Sequence, residues 1–379
     1  MTSRASKWFV VLLLPGCLTL LACKESGPAN SIPPTTTPTA TTQPTPTATL
    51  VAPKPSAPAT AAPTTTSTPA AHSASQIQNA SIYQGRTLRA EPKPELPQHA
   101  DGVTGVAFSA DGRFIATVGE DLKLKICDPR SGNLLHDVTL AAVDKNSFGG
   151  PAVAIAFSST KSLLAASVGK EIKLIDAESG KIQSTLTQDK FGGYDHLRFT
   201  AADDRLVTLS SRDVIVWSIA DGSQRNTFKV EGFLSKEFSL TPDGTTLAME
   251  GPKGAIDLFD LNTGELQHRF PGVGESTIKC VAINADGSLL VAGNANERLA
   301  VYDLKTKAER FHVDKTYATK LAFTTGNLLG VGGHYNALHL VGDSGLTLVA
   351  TCGARGPSAT GALAFSFDGT QLACTDQGY

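Results

Sequence analysis

One phrase returns seven times along this chain: a short apolar run ending on a hydrophobe. It first stands at Gly105-Val106-Ala107-Phe108, followed by Ser109-Ala110-Asp111-Gly112 and a second apolar run, Phe114-Ile115-Ala116-Thr117. It returns as Ala154-Ile155-Ala156-Phe157, His196-Leu197-Arg198-Phe199 and Glu237-Phe238-Ser239-Leu240. The last three copies are Cys280-Val281-Ala282-Ile283, Lys320-Leu321-Ala322-Phe323 and Ala362-Leu363-Ala364-Phe365. Their final residues fall at 108, 157, 199, 240, 283, 323 and 365, at intervals of 49, 42, 41, 43, 40 and 42. Each copy reads as a short buried strand running into a turn, and the turn is Asp-Gly at Asp111-Gly112, Asp243-Gly244, Asp286-Gly287 and Asp368-Gly369.

The rest of each repeat keeps the same grammar. A second strand follows the turn, as in Leu247-Ala248-Met249 and Leu290-Val291-Ala292. A third, alternating strand comes next, as in Lys123-Leu124-Lys125-Ile126-Cys127, Ile172-Lys173-Leu174-Ile175 and Val214-Ile215-Val216-Trp217. A Gly-bearing turn such as Ser131-Gly132-Asn133 or Thr263-Gly264-Glu265 then opens an outer strand. Alternation of period two, with turn residues at fixed offsets, is what a four-stranded antiparallel sheet requires. A repeat of roughly 40–45 residues built this way is the signature of a β-propeller blade. The expected fold class is therefore all-β: a seven-bladed propeller over residues 76–379, behind a signal segment (1–23) and a disordered linker (24–75).

Over residues 97–379 the repeats resemble the WD-repeat family. The family's third strand ends in Trp-Asp, and the matching pairs here are Cys127-Asp128, Ile175-Asp176, Trp217-Ser218, Phe259-Asp260, Tyr302-Asp303 and Val341-Gly342. The family's Gly-His opening lies nine residues before the reference position, and only His99 fills it, preceded by Gln98. The resemblance implies that His99, Thr117 and Asp121 form part of a buried hydrogen-bonded set in blade one, with Cys127 in place of the Trp. The other blades lack the His, so apolar packing is expected to hold them more than that network does.

The seventh repeat is short. After Phe365 only one more strand, Thr370-Gln371-Leu372-Ala373-Cys374, precedes Tyr379. A ring cannot leave open edges without an aggregation risk. Residues 76–90 read as a third strand, a tight turn at Gln84-Gly85 and an outer strand, and are expected to complete blade seven.

The N-terminus reads as an export signal. Arg4 and Lys7 precede an apolar run from Trp8 to Leu21, broken by Pro15-Gly16 and short for a membrane span. It ends in Leu20-Leu21-Ala22-Cys23, which resembles the bacterial lipoprotein box and implies lipidation of Cys23. Plain secretion and an uncleaved anchor are the other readings. With Lys24 after the Cys, the resemblance favours the outer membrane over the inner one. From Gly27 to about Ser75 the chain is Pro, Thr, Ala and Ser, which cannot bury enough to offset its ordering entropy. Prolines bias such a stretch to polyproline II, so some 50 residues reach roughly 150 Å when fully drawn out.

The remaining motifs carry little chemistry. The formal net charge of −2 gives no basic face for nucleic acid. Gly342-Asp343-Ser344-Gly345 echoes a serine-protease motif but falls where blade six needs a turn. Asp144-Lys145-Asn146 begins like a calcium loop yet lacks the Gly and Glu that such a loop needs. The sequence holds no GxSxG, HExxH or phosphate loop, and its 8 His are scattered. Cys127, Cys280, Cys352 and Cys374 read as small buried hydrophobes, with a Cys352–Cys374 bridge as the alternative in an oxidising compartment.

No catalytic residue, metal or cofactor is therefore expected. What remains is a candidate partner-binding patch at the loops entering blades two to four: Phe148, Phe191, Tyr194 and Phe233. Aromatics anchor interfaces well, although the same side chains could instead be buried in place of the missing Gly-His packing. The expected role is a monomeric, non-catalytic protein-binding scaffold tied to the bacterial cell envelope by lipid. The alternative is a propeller enzyme or a small-ligand or metal binder using the central channel.

Overall fold

The computed structural model describes residues 7–12, 91–92, 96–100, 102–141, 154–188, 193–231, 237–272, 276–294, 298–324, 327–333, 336–352, 363–366 and 371–376. Among these the protein is all-β, and its single short 3-10 turn is Pro252–Gly254. Six four-stranded antiparallel sheets each take four strands consecutive in sequence. The first runs Val103–Phe108, Ile115–Gly119, Lys123–Cys127 and Leu134–Thr139. The third runs His196–Phe199, Arg205–Ser210, Asp213–Ser218 and Gln224–Lys229. These sheets are consistent with the blades of a propeller.

The turns carry the repeat. At Asp111-Gly112 the Ser109 amide donates to the Phe114 carbonyl at 2.9 Å, and Gly112 stands at φ +68°. A left-handed conformation there favours glycine. The third strand ends in a carboxylate that caps the next turn: Asp128 Oδ1 accepts from the amides of Arg130 (2.7 Å) and Ser131 (3.1 Å). Asp260 and Asp303 do the same for the two turns after them. The Asp of each apolar-Asp pair thus holds the corner from which the outer strand departs. In the sixth sheet Gly342 stands in the Asp place, and a shorter turn is closed by the Gly342 amide donating to the Gly345 carbonyl at 3.0 Å.

Each sheet's inner strand touches the inner strand of the next. The order is Val103–Phe108, Ile155–Phe157, His196–Phe199, Phe238–Leu240, Ile278–Ile283, Lys320–Phe323 and Leu363–Phe365, and the last touches the first. Apolar clusters lie between sheets. Leu164 and Ile175 join Leu124 and Ile126, for example, and Phe238 and Met249 join Val207 and Val216. Polar links cross the same seams. Asp203 accepts from the Ser159 amide (2.7 Å) and the Thr160 amide (2.6 Å), and Asn284 Nδ2 donates to Asn327 Oδ1 at 2.8 Å.

The last sheet is assembled from both ends of the chain. Leu363–Phe365 and Gln371–Asp376 form its inner half. Lys7–Leu12 pairs with Gln371–Asp376 along six residues, from Lys7↔Asp376 to Leu12↔Gln371, and Glu91–Pro92 pairs with Lys7–Leu12 beyond it. The third-strand place expected of residues 76–90 is therefore held by Lys7–Leu12, and residues 76–90 lie outside the described residues. Trp8-Phe9-Val10-Val11 is an uninterrupted run of strand-forming residues, which suits it to an unfilled sheet edge.

Candidate functional site

The first sheet brings His99, Thr117 and Asp121 together. His99 Nδ1 donates to Asp121 Oδ1 at 2.8 Å, and Nε2 lies 2.9 Å from Thr117 Oγ1. Asp121 also accepts from the amides of Ala100 (3.0 Å) and Lys123 (3.2 Å). Burial works against the Asp121 charge, but the bonds from His99 and the Ala100 amide outweigh it and hold the carboxyl below the usual range. Gly119 makes this possible: a Cβ there would stand 2.5 Å from His99 Nδ1. The set faces the interior and ties the entering chain to the second strand, which is a structural role.

The third sheet answers the missing histidine differently. Trp217 Nε1 donates to Thr208 Oγ1 at 3.1 Å, and Gln188 Nε2 donates to Ser210 Oγ at 3.2 Å. Register makes Thr208 the counterpart of Thr117 and Trp217 that of Cys127. Tyr194 is fully buried edge-on to Trp217, with ring centroids 6.5 Å apart at 68°. Of the two readings of this side chain, its burial removes it from the partner-binding patch and fits the buried alternative. Tyr194 packs in one apolar cluster with Leu197, Leu206 and Trp217. Phe148, Phe191 and Phe233 lie outside the described residues, as do Cys23 and the side chains of Cys352 and Cys374.

A polar cluster that the sequence reading did not single out lies along the inner strands. In His196–Phe199, Leu197 and Phe199 are buried between sheets while His196 and Arg198, on the strand's other face, are half-buried. The position of His196, three before the reference residue, is Glu237 in the fourth sheet, Cys280 in the fifth and Lys320 in the sixth. In the first two sheets it is Gly105 and Ala154. With Ala362 in the last copy, this position is thus polar in four successive copies and small in three. Lys320 Nζ donates to Glu237 Oε1, bridging from the sixth sheet to the fourth over Cys280. In the next layer, one before the reference, Arg198 stands among Ala107, Ala156, Ser239, Ala282, Ala322 and Ala364.

The ionisation states follow from position. Burial, with Arg198 and Lys320 nearby, pushes the His196 imidazole well below its ordinary pKa, so the ring is neutral at neutral pH. Its Nε2 then accepts from Arg198 Nε at 3.3 Å, which leaves the proton on Nδ1. The ring also packs edge-on to Phe238, with centroids 4.8 Å apart. Burial pushes the Cys280 thiol well up, with Glu237 adding to the shift and Lys320 opposing it. Its Sγ donates to the Ala318 carbonyl at 3.5 Å, so it is a packed thiol rather than a nucleophile. Burial likewise raises Cys127 to about 12. Among the described residues, no group of three or more His, Cys, Asp or Glu is placed to hold a metal ion.

A groove of about 960 Å³ opens between the turns of the third and fourth sheets, lined in part by Asp203, Arg205, Arg225 and Asn262. Its charges are engaged in holding sheets together. Arg205 Nη1 donates to Asn262 Oδ1 and Nη2 to the Gly244 carbonyl, both at 3.0 Å, and Arg225 Nη2 reaches Ser218 Oγ and Asp221 Oδ2, both at 3.2 Å.

Comparison with known proteins agrees with this geometry. Residues 90–128 and 264–303 match the family described as WD domain, G-beta repeat. The first match ends on Asp128 and the second on Asp303, at the end of a third strand in each case. The chain is similar to the WD repeat domain-containing protein 83 homolog of Dictyostelium discoideum, 25% identical over 99 residues, covering 26% of this chain and 30% of that protein. It is also similar to the WD repeat-containing protein SL1-17 of Schistosoma mansoni, 24% identical over 202 residues, covering 53% of this chain and 61% of that protein. The chain thus spans less than two thirds of the length of either relative. Two segments of the chain match the WD-repeat model by sequence, and domains made of such repeats serve in general as scaffolds for protein–protein interaction.

Proposed function

We propose that this protein is a lipid-anchored, non-catalytic binding platform of the bacterial cell envelope. In this reading a seven-bladed WD-like propeller is held on a Pro- and Thr-rich tether by acyl chains on Cys23. The observation that carries it is the coincidence of WD-repeat matches with six sheets of the same strand order. A rigid framework with variable loops offers several binding surfaces without any catalytic group. The circuit of inner strands, from the first sheet back to the first, supports seven blades. The packed Cys280 thiol, kept protonated by burial, is not poised as a nucleophile.

The anchor reading carries a structural requirement. Cleavage before Cys23 removes Lys7–Leu12, the strand paired with Gln371–Asp376. Residues 76–90 must then fill that place in the mature chain. The partner-facing surface in this reading is the loops bearing Phe148, Phe191 and Phe233, without Tyr194.

The test is cross-linking of the full chain in intact cells, with and without a triple Phe→Ser exchange at 148, 191 and 233. The expected result is one defined protein partner, cross-linked on that face and lost in the triple variant. A partner retained in full by the variant would overturn the placement of the surface. Absence of any specific partner would overturn the scaffold reading.

A further inference from the structure

The last sheet differs from the other six in the source of its third strand. In each of those the third strand follows the second after a short turn. In the last, the second strand, Gln371–Asp376, pairs instead with Lys7–Leu12, about 360 residues earlier in the chain. The register joins six residues of each strand, whereas three pairs, from Leu363↔Cys374 to Phe365↔Leu372, join Gln371–Asp376 to its inner neighbour. The larger share of this strand's ladder thus comes from a segment that also reads as the apolar run of an export signal. The seat itself is a product of ring closure. Ala373, opposite Val10, is fully buried in one cluster with Val103, Val106 and Phe108 of the first sheet.

The two uses of this segment exclude each other. In the sheet, residues 7–12 are extended and paired along Gln371–Asp376. In a bilayer a single segment satisfies its backbone only as a helix. We propose that the seating of Lys7–Leu12 is an autoinhibitory contact: a chain that folds before it reaches the membrane hides its own signal in its last sheet. This rests on the reading of residues 1–23 as an export signal. The order of synthesis sets the escape. The signal is made first and its seat about 360 residues later. At about 5–20 residues per second the signal therefore has roughly 20–70 s before its seat exists. Early delivery finds the apolar run free, and late delivery finds it paired.

The experiment uses the purified full chain, its Cys23 unmodified, and vesicles of phosphatidylethanolamine and phosphatidylglycerol. Phe9→Cys places a thiol opposite Cys374. Under mild oxidation a bridge between the two, located by peptide mass, should form in the folded chain and not in urea. A seat filled in about nine molecules of ten lowers the apparent affinity for the vesicles about tenfold. Ala373→Pro breaks the ladder of the seat strand and should tighten vesicle binding by about that factor. The oxidised Phe9→Cys chain should bind the vesicles more weakly than the same chain reduced, and this comparison decides the matter if Ala373→Pro does not fold. In cells, pulse-labelled chain whose export is delayed should be processed at Cys23 in a larger fraction for Ala373→Pro than for the parent. The proposal is overturned by a bridge that does not form in the folded chain, by vesicle binding that oxidation leaves unchanged, or by delayed parent and Ala373→Pro chains processed to the same extent. Processing of neither chain, delayed or prompt, would overturn the lipid-anchor reading alone, because the bridge and the vesicles judge the seat without it.

Discussion

The first and third sheets have the same strand register, yet each fixes its second strand to its neighbours with a different half of one polar network. In the first, His99, Thr117 and Asp121 are linked and a small thiol, Cys127, fills the third-strand position. In the third, Trp217 reaches Thr208, and Gln188 with Ser210 replaces the imidazole. Turn length explains the carboxylate. The first sheet joins its second and third strands through Glu120, Asp121 and Leu122, which leaves room for an inward Asp. The third joins them through Ser211-Arg212 alone, with Ser211 at φ +56°, and has no such place. Gly119 and Ser210 are the matching adjustment: the imidazole needs an empty Cβ position, and the glutamine side chain does not. Repeats diverge, on this view, by exchanging one set of buried partners for another while the ladder stays fixed.

The largest expected break in that comparison is Trp217→Ala. The indole is 2% exposed and fills the space over Tyr194, so its loss should cost about 3–5 kcal/mol in urea unfolding. Cys127→Ala in the first sheet removes only a sulfur and should cost about 1 kcal/mol. Equal costs would mean that the two sheets do not divide packing and hydrogen bonding as described.

His99→Ala comes next. It strands buried Thr117 and the Asp121 carboxylate and should cost about 1–3 kcal/mol. Gly119→Ala should produce much of the same loss by displacing the ring, whereas Ser210→Ala should cost about 1 kcal/mol or less. A Gly119→Ala protein as stable as the parent would show that the imidazole does not need the space.

The smallest effect is on pH dependence. The folded-state pKa of Asp121 is depressed, so its contribution to stability is present above the unfolded value of about 3.9 and is lost as pH falls through the folded value. Asp121→Asn should therefore flatten the acid limb of the stability curve relative to the parent, whereas Trp217→Ala should shift that curve down without changing its shape. Parallel acid limbs for Asp121→Asn and the parent would remove the carboxylate from the account.

Strand positions and Asp-Gly corners were legible in the sequence because each depends on residues at short, fixed offsets, whereas the His99 set, whose members lie 18 and 22 residues apart, was implied by the resemblance to WD repeats. Phe108 and Asp111-Gly112 announce a strand and its turn without reference to the rest of the chain. The axial cluster was not legible. His196, Glu237, Cys280 and Lys320 are the first residues of four copies of the repeated phrase, but the ion pair between Glu237 and Lys320 joins residues 83 apart. Only the order of sheets brings them together. For Tyr194 two readings stood open, an exposed patch and a buried filler, and only its contact with Trp217, 23 residues on, decides for the second. The last sheet was half legible. The need for two more strands followed from the short seventh repeat, but an apolar run such as Trp8–Leu12 serves equally well as the core of an export signal and as a strand.

The most direct test of the account is the intact mass of the protein recovered from the membrane fraction of a bacterium that processes lipoproteins. The account predicts a chain that begins at Cys23 and carries the mass of a diacylglyceryl group, with the Cys23→Ser variant losing both the lipid mass and the membrane association. A membrane-bound or soluble chain that still begins at Met1, its Cys23 unmodified and its Lys7–Leu12 strand retained in the last sheet, would contradict it.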